Sequence, residues 1–392
     1  MVRQLLLTFN VGSATLKVSA CALAAPETSL FRLSVDLASG SSAGTGLLPA
    51  ALPRELEPNP DLTELAALLA CHAAGPGERV VAVAHRIVHG GRHLQPAPIT
   101  DALLQELQDL ETLCPLLQPP ALEVICHLRE LWPMLPQVAV FDTSFHREQP
   151  ELATTYALPA VLRMQGLKAY GFHGISCQHV LRALRADHPA QAEGRVLIAH
   201  LGRSASLTAV RQGKSVANSM GFSMLDGLPM GSRCGQIDPG ILLYLMEQGW
   251  SKSRLTDLLY HKSGLLGLSG QSADMRELLA SSSDDARFAV DYFCERTARM
   301  AASLACAMEG LEVLAFTGGI GEQHALVREK ICRRLEWMGV ELAEAANANG
   351  HGLLSTPASR CRILVLPCDE EAEISLQCAE LLGQVRAARA AS

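Results

Sequence analysis

The chain shows the same succession of apolar segments twice, and this repetition constrains its fold more than any other feature. A first round of three β-like stretches lies at about 4–10, 16–22 and 30–37. A second round begins near residue 195, with hairpin strands at Val196–Ala199, Ala205–Val210 and Ser215–Ser219. The pattern predicts a duplicated α/β domain with a cleft between its halves and a boundary near 145–150.

The segments that follow each round alternate between helix and strand. Helices are predicted at Leu62–Cys71, Ala121–Leu131, Ile241–Gln248 and Asp285–Met308, from about Gln323, and at the C-terminus. Strands are predicted at Val80–Ile87, Val138–Phe141, Leu311–Phe316 and Ile363–Leu366. We also expect a Gly/Ser/Pro-rich loop from about Ala38 to Pro60 and a turn at Gln212-Gly213-Lys214.

Composition narrows the class of protein. Of the 392 residues, 48% are hydrophobic and 19% are charged, as in a globular protein of two or three domains. The net charge of −7 does not indicate the basic surface that a nucleic-acid-binding protein needs. No apolar run approaches the roughly 20 residues that span a bilayer. We therefore expect neither nucleic acid nor a membrane as a partner. The twelve cysteines include no C-x-x-C pair and the N-terminus lacks an apolar signal core, which predicts reduced thiols and a cytoplasmic location.

Two glycine-containing turns follow apolar strands. The first, Asn10–Lys17, combines an amide, a glycine, two hydroxyls and a lysine, a set that suits phosphate oxygens. The second, Phe316–Glu322, has three glycines whose backbone N–H groups could face an anion or nucleotide. The alternative to a ligand-binding role is an ordinary polar β-hairpin for the first segment and a tight structural turn for the second. Neither segment has the G-x-G-x-x-G spacing of a dinucleotide fold, and no P-loop is present.

His85–Gly91 follows another predicted strand. On a strand, four residues span about 13 Å, so His85 and His89 cannot chelate one metal ion there. Arg86 leaves a buried strand, where an arginine usually binds an anion, and a structural salt bridge is the alternative.

Asp142 comes directly after the predicted strand Val138–Phe141, at the sheet edge where α/β proteins bind ligands. It is a candidate Mg²⁺ ligand or general base, with a helix N-cap as the alternative. Further candidates are the carboxylates of Asp369–Glu371, His173 between two glycines, and Arg233 in the loop Gly231–Pro239. Two arginines, two carboxylates, a histidine and two glycine turns are the inventory of phosphoryl transfer.

Taken in order, these segments resemble the acetate/propionate kinase family, within the actin–Hsp70–sugar kinase superfamily. The resemblance covers nearly the whole chain. The matching segments are Asn10–Lys17, His85–Gly91, Phe141–Phe145, Tyr170–Gly174, His200-Leu201-Gly202, Ser219–Pro239, Ser272–Arg276, Phe316–Glu322 and Asp369–Glu371. Nine matches in the same order are not expected by chance.

The resemblance implies two duplicated actin-like (ribonuclease H-like) α/β domains with an interdomain active-site cleft. Residues 1–147 plus about 371–392 would form the N-terminal domain, and residues 148–370 the C-terminal nucleotide-binding and dimerisation domain. The implied activity is a reversible transfer of the ATP γ-phosphoryl group to acetate, with propionate as a second acid. Mg²⁺ is the implied metal, with Mn²⁺ as the alternative, ATP and ADP exchange as substrate and product, and a homodimer is the implied assembly.

The family's functional positions carry over residue by residue. The family's catalytic positions correspond to Asp142, Arg86, Arg233 and His173, and its metal-binding positions correspond to Asn10 and Glu370. Those for the acid match Arg86, Val88, Leu116 and Phe172. Those for the nucleotide match Lys17, His200, Leu201, Gly202, Arg203, Ser204, Asp274, Met275, Arg276, Gly319, Ile320, Gly321 and Gln323. Because the acid is already ionised at pH 7, Asp142 is expected to position the metal rather than to act as a base.

Several positions depart from the family's usual residues. Arg203 and Ser204 stand where Asn or Ser and then Gly are usual, so Arg203 either adds a phosphate contact or crowds the nucleotide. The other departures are Ala14, Thr15, Leu117, Cys177, Met224, Gln236 and Gln323. Arg203, Ser204 and Cys177 motivate an alternative hypothesis, a divergent nucleotide-binding paralogue with weak or no kinase activity. A sugar kinase is a third hypothesis, which the match at His85–Gly91 disfavours. The bulk of Val88 weakly favours acetate, since one methylene changes specificity by only about 1–3 kcal/mol.

Overall fold

The structure, a computed structural model, describes residues 2–12, 15–37, 39–46 and 60–391, with the backbone alone for 386–391. Ser13 and Ala14 of the first polar turn lie outside these residues, as do residues 38 and 47–59 of the predicted loop. The chain divides into two compact units, Met1–Arg147 with Asp369–Ser392, and Glu148–Cys368.

The first unit begins with ten regular elements. They are β1 (Arg3–Val11), β2 (Thr15–Ala22), β3 (Ala25–Asp36), β4 (Ser42–Gly46), α1 (Leu62–His72), β5 (Glu78–Ile87), β6 (Ala97–Pro98), α2 (Asp101–Asp109), α3 (Gln118–Leu131) and β7 (Gln137–Phe141), as far as the described residues go. Single 3₁₀ turns lie at Glu111–Leu113 and Ser144–His146.

The second unit has its own strands and helices. They are α4 (Glu151–Thr154), α5 (Ala160–Met164), α6 (Gly174–Asp187), α7 (Pro189–Ala192), β8 (Arg195–Leu201), β9 (Ala205–Arg211), β10 (Lys214–Asn218), α8 (Pro239–Glu247), α9 (Lys252–His261), α10 (Gly264–Ser269), α11 (Met275–Ala280), α12 (Asp284–Ala307), β11 (Val313–Thr317), α13 (Gly318–Gln323), α14 (Ala325–Arg333), α15 (Glu344–Asn349), β12 (Gly352–Leu353) and β13 (Arg362–Val365). A 3₁₀ turn lies at Glu336–Met338, and the last helix, α16 (Glu370–Ala391), belongs to the first unit.

Within the described ranges, the first unit holds one sheet of order β4-β3-β2-β1-β5-β7-β6. β1 to β4 are antiparallel neighbours, whereas β5 runs parallel to β1 and β7 runs parallel to β5. Leu5, Leu6 and Leu7 of β1 are fully buried, as expected for a central strand covered on both faces. The helix α3 packs against β1 and β5, and α16 packs against β1 and β3.

The second unit repeats this topology. Its sheet, again within the described residues, has the order β10-β9-β8-β11-β13-β12. β8, β9 and β10 form an antiparallel meander, and β11 and β13 continue it in parallel. The order β10-β9-β8-β11-β13 therefore corresponds to β3-β2-β1-β5-β7. This correspondence confirms the predicted duplicated α/β fold.

One local prediction is wrong. Ser42–Gly46, inside the predicted loop, forms the edge strand β4 against Phe31–Val35. Its Ser/Gly composition carries no strand signal, so only the pairing with β3 creates it. The helix expected from about Gln323 is confirmed as α14, which begins at Ala325 directly after the short helix α13. Among the described residues, no helix has both the length and the apolar character that a bilayer crossing requires.

Candidate active site

Three neighbouring strands of the first unit bring Asn10, Arg86 and Asp142 together. Asn10 lies on β1 and Arg86 on β5, while Asp142 follows the last residue of β7. The carboxyl ends of parallel strands meet at one sheet edge, the usual ligand-binding edge of α/β proteins. Adjacent strands thus place side chains from distant parts of the sequence in contact.

Arg86 and Asp142 form a buried ion pair. Asp142 is fully buried and Arg86 is 8% exposed. The Nε of Arg86 donates to Oδ2 of Asp142 at 2.9 Å, and its Nη2 donates to the same oxygen at 2.5 Å. Burial disfavours the guanidinium charge, but the nearby carboxylates of Asp142 and Glu370 outweigh it and raise the pKa of Arg86. Asp142 thus accepts bonds from Arg86 and is not the N-cap of the following 3₁₀ turn, since Thr143 occupies that position.

Asn10 extends this pair into a longer polar cluster. Its Oδ1 accepts from Nη1 of Arg86 at 3.2 Å, and its Nδ2 donates to Glu371 at 2.7 Å and to Glu370 at 3.0 Å. Lys17, on the paired strand β2, lies 3.8 Å from the carboxylate of Glu371. The two glutamates open α16, so the last helix supplies carboxylates to the first strand. We call Asn10, Arg86, Asp142, Glu370 and Glu371 the first-unit polar cluster.

The predicted acid-binding residues divide between the units. Val88, directly after β5, is buried, and Leu116 is partly buried in the turn before α3. Phe172, also buried, lies in the second unit just before His173.

His85 is also buried, and its Nε2 lies 2.7 Å from Oε1 of Gln137. It therefore has a structural partner within the sheet.

The second unit contains a cavity of about 630 Å³, a size typical of small-molecule sites. Of the predicted nucleotide-binding residues, those that line it are Gly202, Arg203, Asp274, Met275, Arg276, Gly319, Ile320 and Gln323. They come from three separate segments: the β8–β9 turn, the start of α11, and α13. The cavity is also lined by Ser272 and Ala273, which belong to the matching segment Ser272–Arg276, and by Leu266, Gln271, Glu277 and His324, which lie outside the motifs.

Some predicted nucleotide-binding residues do not line this cavity. His200, Leu201, Ser204 and Gly321 lie in the same segments but off its surface, and Lys17 belongs to the first unit. Arg203 is exposed at the cavity.

Asp274 and Arg276 form a forked ion pair at the cavity. Nη2 of Arg276 donates to Oδ2 of Asp274 at 2.6 Å, while its Nε lies 3.1 Å from Oδ1. This hydrogen bonding lowers the pKa of Asp274 and raises that of Arg276. Asp274 also caps α11 by accepting from the backbone N–H of Arg276. The pair therefore fixes two polar side chains on one cavity wall.

Gly318 makes the abrupt change from β11 to α13 possible. Its φ is +75°, and a Cβ there would lie 2.8 Å from the carbonyl oxygen of Leu201. The carboxylate of Glu322 accepts from the backbone N–H of Gly318 at 2.8 Å and from that of Cys368 at 3.1 Å. Gly318 and Glu322 thus fix the turn between β11 and α13, from which Gly319 and Ile320 face the cavity.

His173 and Arg233 are both buried in the second unit. His173 has a left-handed backbone, with φ of 60°, at the N-cap of α6. Its ring stacks on that of His200 with centroids 4.3 Å apart. Nη1 of Arg233 donates to Oγ of Ser204 at 3.3 Å and lies 3.8 Å from the sulfur of Met230.

Comparison with known proteins shows which family this chain resembles in sequence and in fold. A family model described as the acetokinase family matches residues 56–376. The acetate kinase of Methylocella silvestris is 48% identical over 318 residues, 81% of this chain and 79% of that protein. Among solved structures, a propionate kinase from Francisella tularensis superposes with a TM-score of 0.86 at 32% identity, covering 95% of this chain and 98% of that one. The acetate kinase of Porphyromonas gingivalis gives a TM-score of 0.83 at 30% identity, covering 97% and 100%.

These similarities extend over most of the chain and include its fold. They confirm the family, the actin-like two-domain fold and the enzyme class that the ordered motifs predict. The chain belongs to the acetokinase family of ATP-dependent phosphotransferases that act on a carboxyl group.

Proposed function

We propose that this protein is an acetate kinase that transfers the γ-phosphoryl group of ATP reversibly to acetate, giving acetyl phosphate and ADP. The observation that carries the proposal is the 630 Å³ cavity, because eight residues predicted to bind nucleotide converge on it. Propionate is the second acid, since both acetate and propionate kinases occur among the similar proteins.

Arg86 is the proposed ligand of the acid's carboxylate. Within the described residues, three of its five N–H donors are used, two on Asp142 and one on Asn10. Two donors are then left, which is what a carboxylate oxygen pair requires. Val88 is buried immediately beyond Arg86, so we assign it to the wall around the acid's alkyl group.

The first-unit polar cluster has the chemistry of a Mg²⁺ site. Glu370, Glu371 and Asp142 offer carboxylate oxygens and Asn10 an amide oxygen, the hard donors that Mg²⁺ prefers alongside substrate phosphates. We assign Asn10 and Glu370 to the metal, with Asp142 positioning the site. Bound Mg²⁺ would offset the negative charge of the polyphosphate.

Charge neutralisation is the main catalytic requirement of this reaction. The acceptor is an anion at pH 7 and needs no general base, but it must approach a polyanion. We assign Arg233 and His173 to the transferring phosphoryl group. Each well-placed donor of this kind is worth about 3–4 kcal/mol in the transition state.

The decisive experiment incubates purified protein with Mg-ATP and one acid at a time: acetate, propionate, butyrate or, as a non-acid control, glycerol. Hydroxylamine traps any acyl phosphate as the coloured hydroxamate. We expect product with acetate, less with propionate, and none with glycerol. ATP binding without product from any acid would instead support the divergent nucleotide-binding paralogue.

Arg233→Ala tests the assignment of that residue. We expect turnover to fall by about two to three orders of magnitude, the effect of losing one transition-state donor. ATP binding measured by calorimetry should change little, because Arg233 does not line the nucleotide cavity. Turnover equal to that of the unaltered protein would remove Arg233 from this role.

We further propose a homodimer that uses α8. None of this helix's side chains is buried, and its Ile241, Leu243, Tyr244 and Met246 are 45–63% exposed. Such an apolar patch marks an interface, and a second copy of the chain is the partner that similar enzymes imply. Sedimentation velocity should give twice the chain mass, and Leu243→Glu should shift it to the monomer; a monomer before substitution would refute the dimer.

A further inference from the structure

A crossed pair of histidine–serine hydrogen bonds joins α6 to the β8–β9 hairpin in the second unit. Nδ1 of His173, at the N-cap of α6, lies 2.8 Å from Oγ of Ser206 on β9. In return, Oγ of Ser176, in the first turn of α6, lies 2.7 Å from Nδ1 of His200 on β8. Helix and hairpin thus each contribute one histidine and one serine.

The strand register explains why the two rings stack. His200 and Ser206 are directly opposite each other on β8 and β9, so their side chains leave the same face of the sheet. Ser206 bonds to His173 and thereby holds this ring over its cross-strand neighbour His200. The planes are inclined by only 23°, with centroids 4.3 Å apart. Both serines are fully buried, so water does not compete for these bonds.

A thiol completes the helix-side bond. Sγ of Cys368 donates to Oγ of Ser176 at 3.1 Å. The hydroxyl of Ser176 and Nδ1 of His200 share one hydrogen bond, whose donor depends on the tautomer of the ring, and Nε2 of His200 takes no part in this bond. A Cβ built on Gly202 would lie 3.7 Å from this Nε2 and 4.0 Å from the backbone N of Gly319. The stacked pair therefore borders the residues that line the nucleotide cavity.

We propose that Ser206 and Ser176 are positioning residues for phosphoryl transfer, which hold the imidazoles of His173 and His200 in the stacked orientation by bonding their Nδ1 atoms. This inference rests on the proposed role of His173 at the transferring phosphoryl group.

The test is a double-mutant cycle on acetyl phosphate formation. Ser206→Ala should lower kcat about 10- to 100-fold, as loss of a group that orients a reactive side chain typically does, while KM for acetate changes less than about threefold. In the His173→Ala background, the same substitution should have almost no further effect, because Ser206 acts only through His173. An equal loss in both backgrounds, or no loss in the unaltered background, would overturn the proposal.

Two further variants keep the test interpretable. If Ser206→Ala fails to fold, the same cycle is run with Ser176→Ala, alone and in the His200→Ala background, because Ser176 bonds to His200. Ser215→Ala is the matched control, a buried serine on β10 whose hydroxyl accepts from Nε2 of Gln149 at 2.8 Å. It should leave kcat within about twofold. Failure of the proposed function itself would appear earlier, as absence of acyl phosphate from the unaltered protein.

Discussion

Replacing Arg86 by methionine should destabilise the first unit through the charge that it leaves behind. Asp142 has no solvent exposure and takes two hydrogen bonds from Arg86. Methionine has a similar reach but no charge, so the carboxylate would remain buried without its cation. Substitution of one partner in a buried ion pair costs about 3–5 kcal/mol, because desolvation of the other charge is no longer compensated.

This cost converts into a measurable shift of the melting temperature. In a domain of 150–250 residues, each kcal/mol of destabilisation lowers the melting temperature by about 2–4 °C. Arg86→Met should therefore lower the melting temperature of the first unit by about 6–20 °C. Calorimetry of the unaltered protein and the variant at one pH and protein concentration measures this difference. The variant should also form no hydroxamate, because the proposed carboxylate ligand is gone.

A second substitution separates the buried charge from lost packing. Arg86→Met/Asp142→Leu replaces both partners by apolar side chains, a change that is often close to neutral for a buried pair. We expect it to melt above the single variant while it remains inactive. Arg333→Met is the matched control, since the Arg333–Glu329 pair on α14 is largely exposed and should contribute less than about 1 kcal/mol. If the single and double variants melted at the same temperature, the charge-based reasoning would be wrong.

Two other predictions follow from buried positions. Burial lowers the pKa of His85 to about 4, against the opposing effect of its hydrogen bond to Oε1 of Gln137. Between pH 4 and 6.5 the folded protein then binds fewer protons than the unfolded chain, so the free energy of unfolding should rise by about 3 kcal/mol over this range and level off above it. Urea titrations should show this slope reduced in His85→Gln; an unchanged slope would exclude His85 as its source. Gly318→Ala should cost about 2–4 kcal/mol, because its φ is +75° and the added Cβ would meet the carbonyl oxygen of Leu201 at 2.8 Å. In Gly319→Ala the added Cβ would meet no atom within 4 Å, so the free energy of unfolding should stay unchanged while KM for ATP rises, because Gly319 lines the cavity. Equal melting temperatures for the Gly318 and Gly319 variants would contradict the strain at Gly318.

The sequence predicts the duplicated sheet well because its strands are strongly apolar. Leu5 to Phe9 and Val196 to Leu201 are long hydrophobic runs with clear turn signals after them. The edge strand β4 escapes prediction for the opposite reason. Ser42–Gly46 has no intrinsic strand preference, and its conformation comes from backbone pairing with Phe31–Val35.

The motifs identify most of the residues that line the cavity of the second unit and miss some of their neighbours. Asp274, Arg276 and Gly319 belong to short segments whose residue types suggest ligand chemistry. Gln271 and His324 line the same cavity from positions directly next to Ser272 and Gln323, just after α10 and α13 end. Neither belongs to a matching segment, so only the folded chain shows that they reach the cavity.

Asn10 shows most clearly what only the folded chain can explain. At the sequence level an aspartate would suit a metal site as well as an asparagine does. In the structure, Asn10 accepts from Arg86 through Oδ1 and donates to Glu370 and Glu371 through Nδ2. An aspartate could accept from the arginine but would place a third carboxylate against the two glutamates, where like charges repel in a partly buried site. The amide is therefore the side chain that can join a cation to two anions, and its partners on α16 lie about 360 residues further along the chain.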